Sequence, residues 1–272
     1  MSSTSIWTMK KLALVSAGLL ACGALAAARL EADETAALGR GIIGKWEKAV
    51  VTVKVVTKTR VISEGREMGK QESTTEPAAT IIHPSGLAVL SLSEADPAEM
   101  YRRMMGEEED YKWESEITDV KLRLADGKEL RAKIVLRDRD LDLAFVRPVE
   151  PPAEPLLAIE LTAGPKPELL EEILILGRLG EVANRVPAAS LDRIQAVIEK
   201  PRTFYVPASA GILQSLGCPA FSLDGKVLGI LILRTMPSTG GGMFESMGDG
   251  GMLPVILPAS DVLEAAEQAP KE

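Results

Sequence analysis

Between Val50 and Val61 the chain reads VVTVKVVTKTRV, β-branched residues broken by single polar positions at a spacing of two. That alternation predicts a half-buried strand rather than a helix. Thr80–Ile82 and Leu87–Leu92 repeat the texture around a Pro84-Ser85-Gly86 turn. Asp119–Leu124 and Glu129–Leu136 flank Asp126-Gly127, and Phe221–Leu223 and Lys226–Leu233 flank Asp224-Gly225. Both are expected to be hairpins with type I′ turns. Leu141–Val146, Glu172–Leu176, Ile194–Ile198, Thr203–Val206 and Pro254–Leu257 are further short apolar runs of strand type. Helical patterning is confined to the ends, from about Leu30 to Lys48 and from about Ser260, the expected N-cap, to Gln268. Pro148, Pro151, Pro152 and Pro155 break the chain near its middle. The expected fold is all-β: two antiparallel six-stranded barrels side by side with short terminal helices. The expected boundaries are 49–150 and 167–268 for the barrels, a helical lead-in at 29–48 and a proline-rich link at 151–166.

Composition narrows the function. Aromatic residues make up 4% of 272, so aliphatic side chains must build the cores. The net charge of -8 argues against a nucleic-acid partner, because phosphate neutralisation needs a basic face. A single histidine excludes sites built on several. Asp138, Asp140 and Asp142 have the spacing of a calcium loop's start, but Leu143 and Val149 stand where its glycine and bidentate glutamate belong. No phosphate loop or nucleotide fingerprint is present. Neither a cofactor nor a metal is expected.

The first 28 residues carry Lys10 and Lys11, an apolar stretch and small residues before Arg29, the layout of a secretory signal. Ala24-Leu25-Ala26 fits ordinary cleavage, whereas Leu19-Leu20-Ala21-Cys22 resembles a lipobox in which Cys22 takes lipid. An uncleaved anchor is the third possibility. The protein is expected to be exported, whether periplasmic, membrane-anchored or secreted. Membrane contact is expected only through a lipid at Cys22 or an uncleaved signal.

Four segments belong together: IIHPSGLAVLSLSEAD (Ile81–Asp96), VKLRLADGKELRAKIVLRDRDLDLAFVR (Val120–Arg147), GCPAFSLDGKVLGILI (Gly217–Ile232) and MLPVILPASDVLEAA (Met252–Ala266). In this order they resemble the trypsin-like serine proteases, closest to the bacterial HtrA type. The resemblance implies a Ser–His–Asp triad. It aligns the base with Ser93, the orienting carboxylate with Asp142 and the nucleophile with Leu216. The nucleophile loop reads Gln214-Ser215-Leu216-Gly217-Cys218-Pro219, so Gln214, Ser215 and Gly217 stand at the oxyanion-loop positions. Ser215, Cys218 and His83 are the candidate substitutes for the missing groups, and each has a plainer role as loop residue, buried thiol or turn residue. Glu107–Asp110 is expected to be a solvated acidic run, with an acidic docking patch as the alternative. Pro237–Met252, rich in Gly and Met, is expected to be a disordered surface loop, with a mobile flap over a partner-binding groove as the alternative. HtrA-type proteins carry a PDZ domain after the protease, and the sequence stops shortly after its last helix, so no such module is expected. The expectation is a pseudoprotease that binds a peptide or protein in the cleft between barrels; the alternative is a weak or atypical serine endopeptidase.

Overall fold

The structure is a computed structural model and describes residues 34–105, 111–209, 215–235 and 252–270. Cys22, Gln214, the acidic run 107–110 and most of the stretch 237–252 lie outside the described residues. A first helix, α1 (34–46), leads through a short 3-10 turn (Glu47–Ala49) into β1 (Val50–Ser63). There follow β2 (Arg66–Thr75), β3 (Ala78–Ile81), β4 (Ala88–Ser91), α2 (Leu92–Ala95) and α3 (Pro97–Met105). β5 (Tyr111–Arg123), β6 (Glu129–Asp138) and β7 (Leu143–Pro148) complete the first half.

In that half the strands run β1-β3-β4-β7-β6-β5, and β5 pairs back onto β1, closing a six-stranded antiparallel barrel. β2 adds to β1 beyond β3 on the same edge, with Glu76-Pro77 separating the two. The second half holds β8 (Glu172–Arg178), β9 (Pro187–Ile198), β10 (Phe204–Pro207), β11 (Pro219–Ser222), β12 (Val227–Thr235) and β13 (Met252–Pro258), closed in the order β10-β13-β12-β11-β8-β9. α4 (Ala259–Glu267) packs on β12 and β13. The two six-stranded barrels are the architecture expected from the strand patterns.

Alternation along β1 explains how one strand serves two cores. Val51, Val53 and Val55 fill the first barrel with Leu90, Leu122 and Val146. Val50, Val89 and Phe145 instead belong to the cluster built by the second barrel, including Ile175, Phe221, Ile230 and Ile256. The barrels therefore share one apolar interface. Arg178 reinforces it by donating from Nε to the Val50 carbonyl at 3.0 Å and from the guanidinium to the Glu47 carbonyl at 3.0 Å.

Two local expectations are corrected. The Asp-Gly turns are not type I′, since that turn needs positive φ at both central residues. Only Gly127 and Gly225 have it, at 88° and 82°. The loops hold three residues, closed by Leu124 N–H to Lys128 C=O and by Ser222 N–H to Lys226 C=O. Nor is Ser260 an N-cap. β13 runs straight into α4, Pro258 occupies the cap position without a side-chain bond, and the Ser260 hydroxyl donates to Asp261. Three elements carry no expectation from the sequence: β2, whose REMGKQESTT has no apolar alternation, and the internal helices α2 and α3, where helices were expected only at the ends.

Candidate functional site

Asp142 lies in the turn between β6 and β7, fully buried, with a positive φ of 57°. Asp tolerates that left-handed conformation better than most residues. The backbone places its carboxylate against the end of β4 and the start of α2, where Leu92 N–H donates to the Asp142 carbonyl at 2.9 Å. Oδ1 accepts from Ser93 N–H at 2.9 Å and from the Ser93 hydroxyl at 2.6 Å. Oδ2 accepts from the Ser91 hydroxyl at 2.7 Å and, across the interface, from Leu233 N–H of β12 at 3.0 Å. Arg103 approaches Oδ1 at 3.5 Å as an ion pair rather than a hydrogen bond. A buried carboxylate is tolerable when paired and hydrogen-bonded, and here both oxygens are occupied by the chain's own donors.

Ser93, aligned with the base, therefore touches Asp142, the residue aligned with the orienting acid. Leu216, aligned with the nucleophile, is 1% exposed, and Ser93 is 2% exposed. Its neighbour Gly217 faces the same end of β4. A Cβ on Gly217 would stand 2.5 Å from the Ala78 carbonyl and 3.0 Å from Leu90 Cα. Thr80 donates its hydroxyl to the Gly217 carbonyl at 2.8 Å. With φ at 79°, Gly217→Ala combines backbone strain with a clash against another backbone. It is expected to cost about 3 kcal/mol in chemical denaturation.

Ser215 is half-buried in the turn preceding Leu216, with its carbonyl accepting from Cys218 N–H at 3.1 Å. Cys218 is a free, fully buried thiol. Burial, then the nearby Glu94 charge, push the thiol pKa up, outweighing the Arg178 N–H bond that lowers it. Such a thiol is a packing residue, not a nucleophile. Iodoacetamide should modify Cys218 only after denaturation, which mass spectrometry of the native and unfolded protein checks.

Glu94, on α2, received no role from the sequence. Burial first, and the Asp142 charge second, raise its carboxyl pKa from 4.5 to about 8. It is close enough to Asp142 and Cys218 to feel one and perturb the other. Its helical neighbours Leu92, Ser93 and Ala95 are buried, and nothing in the sequence marks Glu94 itself.

His83 is exposed in the β3–β4 turn and is not part of this cluster. It does have a serine within reach: Nδ1 accepts from Ser85 N–H at 3.1 Å and lies 2.8 Å from the Ser85 hydroxyl. Among the described residues no carboxylate hydrogen-bonds its ring.

Paired six-stranded barrels, with Ser93, Asp142 and the Leu216–Gly217 turn brought to their interface, set the context for one comparison. Residues 104–230 match the family model described as the trypsin-like peptidase domain. Together with the two six-stranded barrels, this match supports a trypsin-like fold. The match contains Asp142 and the turn at Leu216–Gly217 and begins after Ser93. No curated protein matches the chain. Among the described residues no group of His, Cys, Asp and Glu is arranged to hold a metal ion, and no helix is long and apolar enough to cross a membrane.

Proposed function

We propose that this trypsin-like homologue is an exported, HtrA-like pseudoprotease that binds a peptide or protein segment between its barrels. One observation carries the loss of catalysis. In a working triad the carboxylate accepts from the imidazole that serves as base. Here that role is taken by Ser93, whose hydroxyl already donates to Oδ1 at 2.6 Å and has no proton-accepting strength near neutral pH. The nucleophile position holds Leu216, which has no proton to give up. Binding is the function left to a fold that retains its paired barrels without the reacting groups.

The alternative, a weak or atypical serine endopeptidase, draws on the His83–Ser85 pair, a hydroxyl within hydrogen-bond reach of the only imidazole. Incubation of the purified protein with reduced casein separates the readings. Retention of casein on the immobilised protein, with its mass unchanged, supports the binding reading. Cleavage supports the alternative, and neither retention nor cleavage favours a purely structural protein. Export has its own test. N-terminal sequencing of protein made in a bacterial host should begin after Ala21, and a lipid-bearing Cys22 would select the lipobox. An intact Met1 would contradict cleavage.

A further inference from the structure

β5 and β6 hydrogen-bond only at Lys121–Arg123 against Glu129–Arg131 and then separate. α3 lies against β5 at the opening. Tyr101 stacks on Trp113 with ring centroids 3.7 Å apart, and Arg102 donates to the Trp113 carbonyl at 3.4 Å. Beside this contact is a cavity of about 300 Å³, the lower end of the range for small-ligand sites. It is remote in sequence from the Leu216–Gly217 turn and shares no lining residue with the Asp142 cluster.

The lining is cationic. Arg60, Arg102, Lys112, Arg137 and Arg139 contribute five positive charges, against three carboxylates, Asp96, Glu114 and Glu116. Two of those three are already engaged. Glu114 pairs with both Arg60 and Lys112 at 2.9 Å, and Asp96 accepts from the Ser115 hydroxyl at 2.8 Å and from Ala98 N–H at 3.0 Å. Arg102 and Arg139 share Glu99, outside the lining, while Arg137 has no ion pair among the described residues. Arg102 also keeps a buried Nε–H without a partner. Guanidinium groups gathered on separate elements, here α3 and the end of β6, suit planar oxyanions that accept two bonds at once. Trp113 supplies an apolar wall. The protein as a whole carries a net charge of -8, so an acidic partner needs a local basic patch of this kind.

We propose that this cavity binds an acidic peptide segment, its carboxylates received by Arg102, Arg137 and Arg139. The test is fluorescence anisotropy with a labelled oligoglutamate peptide, its oligoglutamine counterpart and inorganic phosphate as competitor. The intact protein should bind the glutamate peptide, less tightly as ionic strength rises, and should ignore the glutamine peptide. R137S/R139S should weaken binding about tenfold or more. These are exposed positions, so the unfolding midpoint should stay nearly unchanged, and R137S alone serves if the double variant is unstable. Arg131→Ser, on the same strand but outside the lining, should bind as the unaltered protein does. Four results would overturn the proposal: no binding by the intact protein, equal weakening by Arg131→Ser, phosphate competing as an equal of the peptide, or binding that emerges only after residues 107–110 are replaced by serine. The last result would mean that the chain's own acidic run satisfies the arginines.

Discussion

Asp142→Ala is expected to be the most damaging single substitution on the protein's interior polar groups, lowering stability by about 3–5 kcal/mol. The carboxylate is fully buried and holds four donors, from Ser91, Ser93 twice, and Leu233. Removing it strands two hydroxyls and two backbone N–H groups where water cannot replace it, and leaves Arg103 without its opposite charge. Ala also fits the left-handed backbone poorly. Asn tolerates that backbone, but one end of its amide would point a donor at donors, so Asp142→Asn should fall between the two. Urea unfolding of both variants gives the ranking. A double-mutant cycle with Ser93→Ala should show coupling of about 1 kcal/mol or more, as expected for groups in direct contact. A loss below about 1 kcal/mol for Asp142→Ala would contradict a role in joining the barrels.

The second large effect depends on pH. Glu94 titrates at about 8 in the folded protein against 4.5 as an unperturbed carboxyl, because burial and the Asp142 charge disfavour its ionised form. Between those values the folded state binds a proton that the unfolded state has released. Stability therefore falls as pH rises through this window: the contribution is fully present below about pH 4.5 and is lost by about pH 8. Multiplying the shift by about 1.4 kcal/mol per unit gives an effect on the order of 5 kcal/mol. Glu94→Gln removes the titration. The variant should equal the parent in acid and exceed it increasingly toward pH 8, as midpoints of urea denaturation across that range would show. Parallel pH profiles for the two proteins would count against the buried-acid assignment.

The strands were legible where burial left a period of two. β1 shows it because Val51, Val53 and Val55 face one core at a spacing of two, and β8 is a nearly unbroken apolar run because both its faces are covered. β2 was not legible, since it extends β1 into solvent and has no buried face to impose alternation. α3 escaped because a proline start and paired arginines resemble a loop; its reason for being helical is tertiary, the Tyr101–Trp113 stack and the arginines' reach to strand carbonyls. At the interface, the family resemblance singled out Ser93 and Asp142, which hydrogen-bond to each other. Ser91 and Glu94 were invisible, because what marks them is proximity to a carboxylate some fifty residues away, at |i−j| of 51 for Ser91. The Asp-Gly pairs announced hairpins correctly but not their loop length, which depends on whether the residue before glycine also takes positive φ.

The central proposal, that the paired barrels have kept their architecture and lost their nucleophile, is tested most directly by labelling the purified protein with a fluorophosphonate probe. No serine should be labelled, in the parent or in Ser93→His and Leu216→Ser taken singly, because base and nucleophile act as a unit. Only the combination of both, with Gln214→Gly to reopen the oxyanion turn, restores the parts that the chemistry requires. Stoichiometric labelling of the unaltered protein, at Ser85, Ser215 or any other serine, would contradict the account.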